Sequence, residues 1–428
     1  MSRLRHLLRR TEFVARPDRV MALVSGSLEE AVDDILDFPT DPVTLPPELL
    51  VHETQLSAQW VSATNWLIDR MAFDSPRPLQ EKMTLFWSGH FVSQAPKVRL
   101  FFLMAAQNKL YRDNAIGNFR DFTQAMATDP AMLLYLDNAF NVASGPNQNF
   151  ARELMELFVL GVGNYSETDV ESAAKAWTGH GVNQRTKAYE FHPLLHDQSP
   201  GDFLGESRSW NGPETIDHML RDKSASAKAA ARLIAKKLWE YFAYSTPSAA
   251  LVDELAAPFS ATWNIHSLLR SIFLREEFYS VEAVQGMVRS PVEWVAAVSY
   301  ASGIRSGSLR PSKPLENMGQ RLFDPPNVSG WRTNGYWVNP SAFGSRAGFA
   351  ERVSLLWERK GSLPETRDFG IAQAVRVATT LVGVPDPSGS TISALSDYLA
   401  AQRAAEPEYK ETRNLITMAL MSPEMHTN

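Results

Sequence analysis

The 428-residue chain has no cysteine, which excludes disulfides, thiolate nucleophiles and cysteine-ligated zinc or iron–sulfur centres. Hydrophobic residues make up 44% and charged residues 21%, a balance that supports a large buried core and argues against a disordered chain. The formal net charge of -6 leaves no basic excess to neutralise a phosphate backbone, so nucleic acid is not an expected partner.

The first ten residues are basic and place Leu4, Leu7 and Leu8 on one face of a short amphipathic helix. Arg9-Arg10 is followed by Thr11 to Arg19, which holds no apolar core of the kind an export signal needs, so no signal peptide is expected. No apolar run approaches the roughly 20 residues that span a bilayer. The expected location is therefore cytoplasmic, with no membrane partner.

Helical spacing then dominates. A helix over 28–37 is capped by Ser27 with Glu30 at its third position, and Pro39 to Pro47 forms a loop. Helices are predicted at about 54–72, 77–92, 98–112 and 115–127, and Asp129-Pro130 opens a short one ending near Leu136. Asn138 to Asn149 reads as a polar loop, followed by helices at 150–160 and 167–178. Gly179 to Pro213 is long and irregular, with room for a small hairpin. Helices resume at about 214–221, 225–242, 248–257, 265–275 and 290–302, and a second irregular segment covers about 305–345. Helices at about 346–358, 370–382, 391–403 and 409–421 close the chain. With no repeat and no linker, the expectation is an all-α fold: one large multi-helix domain over 1–428, with long loops at about 179–213 and 305–345 and little or no sheet.

The stretch from Asn147 to Gly161 carries the most chemistry. Asn147 or Asn149 can cap its helix and Gly161 can end it. Leu154, Met155, Leu157, Phe158, Val159 and Leu160 cover nearly its whole circumference, so it is expected to lie in the interior. Arg152, Glu153 and Glu156 sit on it, and a buried carboxylate must be paired, protonated or bound to a cation. One reading is a structural network, with Arg152 reaching Glu156 one turn on. Another is a site. In the long loop, His196-Asp197 suits metal ligation or proton transfer, with His192 close by in sequence. His90, in Trp87-Ser-Gly-His-Phe91, is either a ligand or a hydrogen-bonded core residue. Trp331 and Trp337 offer flat faces to a sugar or other planar ligand, or pack on the helical body. Ser166 and Asp169 form a capping box and need no further role.

Three arrangements follow for Arg152, Glu153, Glu156, His196 and Asp197. In one, His90, Glu153, Glu156 and His196 hold a divalent metal whose bound water is the nucleophile. In the second, a desolvated glutamate acts as an acid without metal. In the third, the same residues form a structural ion-pair network in a non-catalytic, partner-binding protein. The phosphate loop, the G-x-S-x-G elbow, H-E-x-x-H and the dinucleotide fingerprint are absent.

The order of motifs resembles the bacterial family catalogued as domain of unknown function 1800. The residues that carry the likeness include His6-Leu-Leu-Arg-Arg10, Phe86-Trp-Ser-Gly-His-Phe91, Gly117-Asn-Phe-Arg120 and Tyr135-Leu-Asp-Asn138. They continue through Ala151-Arg-Glu-Leu-Met-Glu-Leu-Phe158, Thr178-Gly179, His196-Asp197, Ser290-Pro291 and Pro325-Pro-Asn-Val-Ser-Gly-Trp331. The family usually has Asn-Glu-Asn where this chain has Asn147-Gln148-Asn149, and Thr-Gly-Trp where it has Thr178-Gly179-His180. The resemblance implies no particular reaction. Relatives lie beside a second uncharacterised family similar to alkaline phosphatases and sulfatases, which implies a protein partner of that kind.

Overall fold

Side-chain caps and prolines set where the helices begin. Ser27 with Glu30, Ser166 with Asp169 and Ser290 with Glu293 each close a reciprocal capping box, satisfying backbone N–H groups that a first turn leaves open. The computed structural model describes residues 2–37, 43–51, 56–405 and 410–428. The start of the proline-rich loop after residue 37 and the first residues of the helices expected from 54 and from 409 lie outside that range.

The architecture is all-α with very little sheet. The long loop before Pro213 contains two antiparallel hairpins, β1 (His180–Val182) with β2 (Tyr189–Phe191) and β3 (Gly201–Phe203) with β4 (Glu206–Arg208). The segment expected to be irregular over 305–345 is more ordered than its sequence suggests. Short helices at Ser306–Leu309 and Ser312–Asn317 and a 3₁₀ turn at Asn334–Trp337 punctuate it, and the next helix starts at Pro340. Proline at the first helical position and Asn339, whose side chain accepts from Ala342 N–H, move that start six residues ahead of the apolar pattern.

Two helices widen into π turns. Leu56–Asp69 runs into Arg70–Asp74, and Asn149–Glu153 runs into Leu154–Val159. The second helix has no side-chain cap: Asn147 instead accepts from Asn149 N–H at 2.9 Å in a local turn.

The apolar residues gather in two cores. One is built mostly from residues before about 280, and the other from the helices after Pro291 together with Phe13, Leu67, Ile68, Met71 and Leu85. Trp66 and Phe323 pack against both. The 18-residue helix Ala225–Phe242 buries Ala227, Ala230, Ala231, Ile234, Leu238 and Trp239 and anchors the first core. Between the two cores, Glu81 is fully buried against Arg112 at 2.9 Å and Arg70 at 2.7 Å. The first helix, Ser2–Glu12, docks on the far end of the chain. Arg9 donates to the carbonyls of Glu424 and Thr427 at 2.5 and 2.8 Å, and Arg10 donates to those of Ala243 and Ala283. Among the described residues no helix is long and apolar enough to cross a membrane.

Candidate functional site

The segment after Asn147 turns its apolar residues inward as its sequence predicts. Phe150, Leu154, Met155, Phe158 and Val159 are buried. Its charged residues are not interior: Arg152, Glu153 and Glu156 are each only half-buried. Arg152 pairs with Glu167 at 2.7 Å and not with Glu156, which accepts from the Tyr165 hydroxyl at 2.5 Å. The π turn changes the angular spacing that would have stacked Arg152 on Glu156. Glu153 has no hydrogen-bond or ion-pair partner among the described residues. Burial, and then the neighbouring Glu156, push its carboxyl up, against the pull of Arg152.

His196 and Asp197 are held between the two hairpins, against the end of the helix that precedes them. The His196 Nδ1 faces the Thr178 carbonyl at 3.0 Å, and the Thr178 hydroxyl accepts from Asp197 N–H at 2.8 Å. Burial would raise Asp197, but hydrogen bonds from Ser199 hold it low. His180 is buried beside them, its Nδ1 2.8 Å from the Tyr189 hydroxyl; burial and then His196 push it down to about 4. No three His, Asp or Glu among the described residues group closely enough to hold a metal ion. The four-residue set His90, Glu153, Glu156 and His196 is therefore not assembled. Glu156 is tied to the Tyr165 hydroxyl, and the two histidines are tied to separate backbone carbonyls.

The carbonyls of the same segment do reach a site. A helix leaves its last C=O groups without intrahelical donors. Here the Phe158 carbonyl accepts from His90 Nε2 at 3.0 Å, and the Leu157 carbonyl accepts from the Lys237 ammonium group at 2.9 Å. A carbonyl can only accept, so His90 carries its proton on Nε2 and presents a bare Nδ1. Lys237 donates to that Nδ1 at 3.1 Å. Burial, and then Lys237, hold the imidazole well below its ordinary value. Burial also brings the Lys237 amine down to about 8, opposed by Glu240. No carboxylate lies within ion-pair distance of Lys237 among the described residues.

His90 and Lys237 open onto a cavity of about 190 Å³, whose other walls include Glu240, Tyr241, Trp331, Arg332 and Trp337. Two glycines bring its sides together. Gly330 has φ +82°, and a Cβ there would come within 2.3 Å of the Gly89 carbonyl oxygen. A Cβ on Gly89 would lie 3.6 Å from the Trp331 ring, so the indole covers the end of helix Pro78–His90. The loop before Trp331 is fixed from behind: Ala95 N–H donates to Phe323 O at 2.9 Å, and the Gln94 side chain donates to Pro325 O. Both tryptophans thus pack on the helical body and line the cavity.

These walls and the carbonyls behind them come from the stretches around Trp87, Ala151, Ser290 and Pro325, and a family model runs through all of them. The model of the family described as "Protein of unknown function (DUF1800)" matches residues 6–427. The chain belongs to that family. No curated protein and no solved structure matches it.

Within this DUF1800 chain, sequence reasoning found His90, Trp331 and Trp337 but missed Lys237, Glu240 and Arg332. Lys237 sits in an alanine-rich helix beside Lys236, and composition does not separate the two. Helical spacing does: Lys237 falls three residues after buried Ile234 and four before Tyr241, on the inward side, whereas Lys236 is 55% exposed.

Proposed function

We propose that this chain is an enzyme that binds a small organic molecule in the cavity between His90, Lys237 and Trp331, with His90 and Lys237 as its proton-transferring pair. One observation carries the reading. The Lys237 amine, in the wall of a cavity, hydrogen-bonds to two neutral acceptors, His90 Nδ1 at 3.1 Å and Leu157 O at 2.9 Å, and to no carboxylate. Structural lysines are ordinarily paired with an anion or exposed to water. An amine tuned to about 8 exchanges a proton readily near neutral pH. The tryptophan and tyrosine walls supply flat apolar surface, with Glu240 and Arg332 as convergent polar groups.

Small-molecule libraries screened by thermal shift test this reading, with Trp331→Ala and Lys237→Met as controls. Compounds that raise the melting temperature of the native protein are expected to lose that effect in both variants. If the stabilising compounds act equally on both variants, the cavity is not the ligand site and the reading fails.

A further inference from the structure

We infer that Lys237 is a nucleophile that condenses with the carbonyl carbon of a 2-oxo acid, whose carboxylate is received by Arg332. This rests on the cavity being the ligand site and goes further, naming the chemistry and the substrate class.

The argument begins with the tetrahedral nitrogen. A neutral amine has two N–H bonds and one lone pair. At Lys237 the two donor directions are taken by His90 Nδ1 and Leu157 O, both on the protein side. The remaining direction is left to the cavity that Lys237 lines. Both acceptors are neutral, so neither holds a third proton on the nitrogen as a carboxylate would. The lone pair is freed at a pH well below that of an ordinary lysine, because burial lowers the amine to about 8.

The second cation defines the substrate. Arg332 is exposed and lines the same cavity, and its guanidinium lies 5.4 Å from the Tyr336 ring centre. Among the described residues it has no carboxylate partner. A guanidinium fork matches a carboxylate in two-point geometry. Carbonyl carbon at Lys237 and carboxylate at Arg332 describe an oxo acid, and a cavity of about 190 Å³ favours one of few atoms, of which the 2-oxo acids are the most compact.

The step balances without a further reagent. The amine lone pair forms the C–N bond and the carbonyl π pair moves to oxygen. That oxygen departs as water with the two protons the nitrogen gives up, leaving an imine. Glu240, a half-buried carboxylate in the cavity wall whose burial raises its pKa, relays those protons.

The test uses the intact chain with pyruvate as the probe and sodium cyanoborohydride as the trap, read by peptide mass mapping. The expected adduct is on Lys237. It should form roughly tenfold or more faster than on exposed Lys223, with a rate that rises through a midpoint near pH 8. Arg332→Gln should raise the pyruvate concentration needed by roughly tenfold and leave trapping of acetaldehyde, which has no carboxylate, unchanged. Labelling of Lys237 no faster than Lys223 overturns the nucleophile. Equal loss of pyruvate and acetaldehyde trapping in the Arg332 variant overturns the 2-oxo acid. If thermal-shift ligands still depend on Trp331 while Lys237 does not label, the inference fails and the cavity reading stands. If neither effect is seen, both fail.

Discussion

Gly330 rests against the carbonyl oxygen of Gly89, with φ +82° and 2.3 Å between that oxygen and the place a Cβ would occupy. The contact joins the end of one helix to the loop that carries Trp331, and so fixes one wall of the cavity. Gly330→Ala should therefore cost roughly 1–3 kcal/mol through backbone strain alone and displace Trp331. Gly89→Ala faces only an ordinary contact at 3.6 Å with the indole and should change stability by less than about 1 kcal/mol. Denaturation midpoints and tryptophan emission of the two variants test the contrast; equal effects would mean the loop is not seated on Gly89.

Glu81 is a fully buried charge held by two arginines. Burial would raise its carboxyl, but Arg112 and then Arg70 overcome that and hold it ionised. Arg112→Ala should cost roughly 3–5 kcal/mol, because it leaves a fully buried carboxylate with Arg70 as its one remaining ion-pair partner. A urea midpoint close to that of the native protein would show that water reaches Glu81.

Arg152→Ala should do little, although its position in a strongly apolar helix suggests otherwise. Its partner Glu167 is 72% exposed, and exposed pairs contribute about 0–1 kcal/mol. A loss comparable to that of the Arg112 variant would contradict the outward placement of Arg152.

Acid should destabilise the fold well above the usual carboxylate range. Burial lowers His6 and His426 to about 3 and His180 to about 4 from 6.5, and holds His90 well below its ordinary value. Below 6.5 the unfolded chain takes up protons that the folded chain refuses. Stability is thus full above 6.5 and falls as pH drops toward those folded values. Asp129 acts with the opposite sign: burial raises it to about 7 from 3.8, so its contribution is complete below 3.8 and lost as pH rises through about 7. Glu12, Glu153, Glu240 and Asp324 are raised in the same direction as Asp129, and the buried histidines, with His218 also lowered, are expected to outweigh these carboxyls. Urea midpoints measured between about pH 7 and pH 4 should fall steadily, and His180→Gln should flatten the slope. Constant midpoints over that range would place the imidazoles in water.

Much of the fold was legible because its signals are local. Ser27 with Glu30 and Ser166 with Asp169 form their caps within four residues, and the sequence states them outright. The site was legible only in pieces. The sequence draws attention to Ala151–Phe158 for its side chains. Its contact with the cavity is made by the backbone carbonyls of Leu157 and Phe158, which a pattern of side chains does not display. Arg152 illustrates a second limit: a π turn shifts angular spacing without changing composition, so its partner proved to be Glu167. Lys237 needed tertiary information, because the polarity of its acceptors distinguishes it and those acceptors lie on other elements.

The docking of the first helix on the last residues has a consequence for synthesis in the cell. Arg9 and the Glu424 carbonyl are 415 residues apart. At about 5–20 residues per second, the helix leaves the ribosome roughly 20–80 s before that partner exists. Leu7 and Leu8 belong to the first core, which is built mostly from residues before about 280, so their cover is made well before the Arg9 contact can form. The helix is thus seated in two stages, its leucine face on the first core and its Arg9 side only when the last residues arrive.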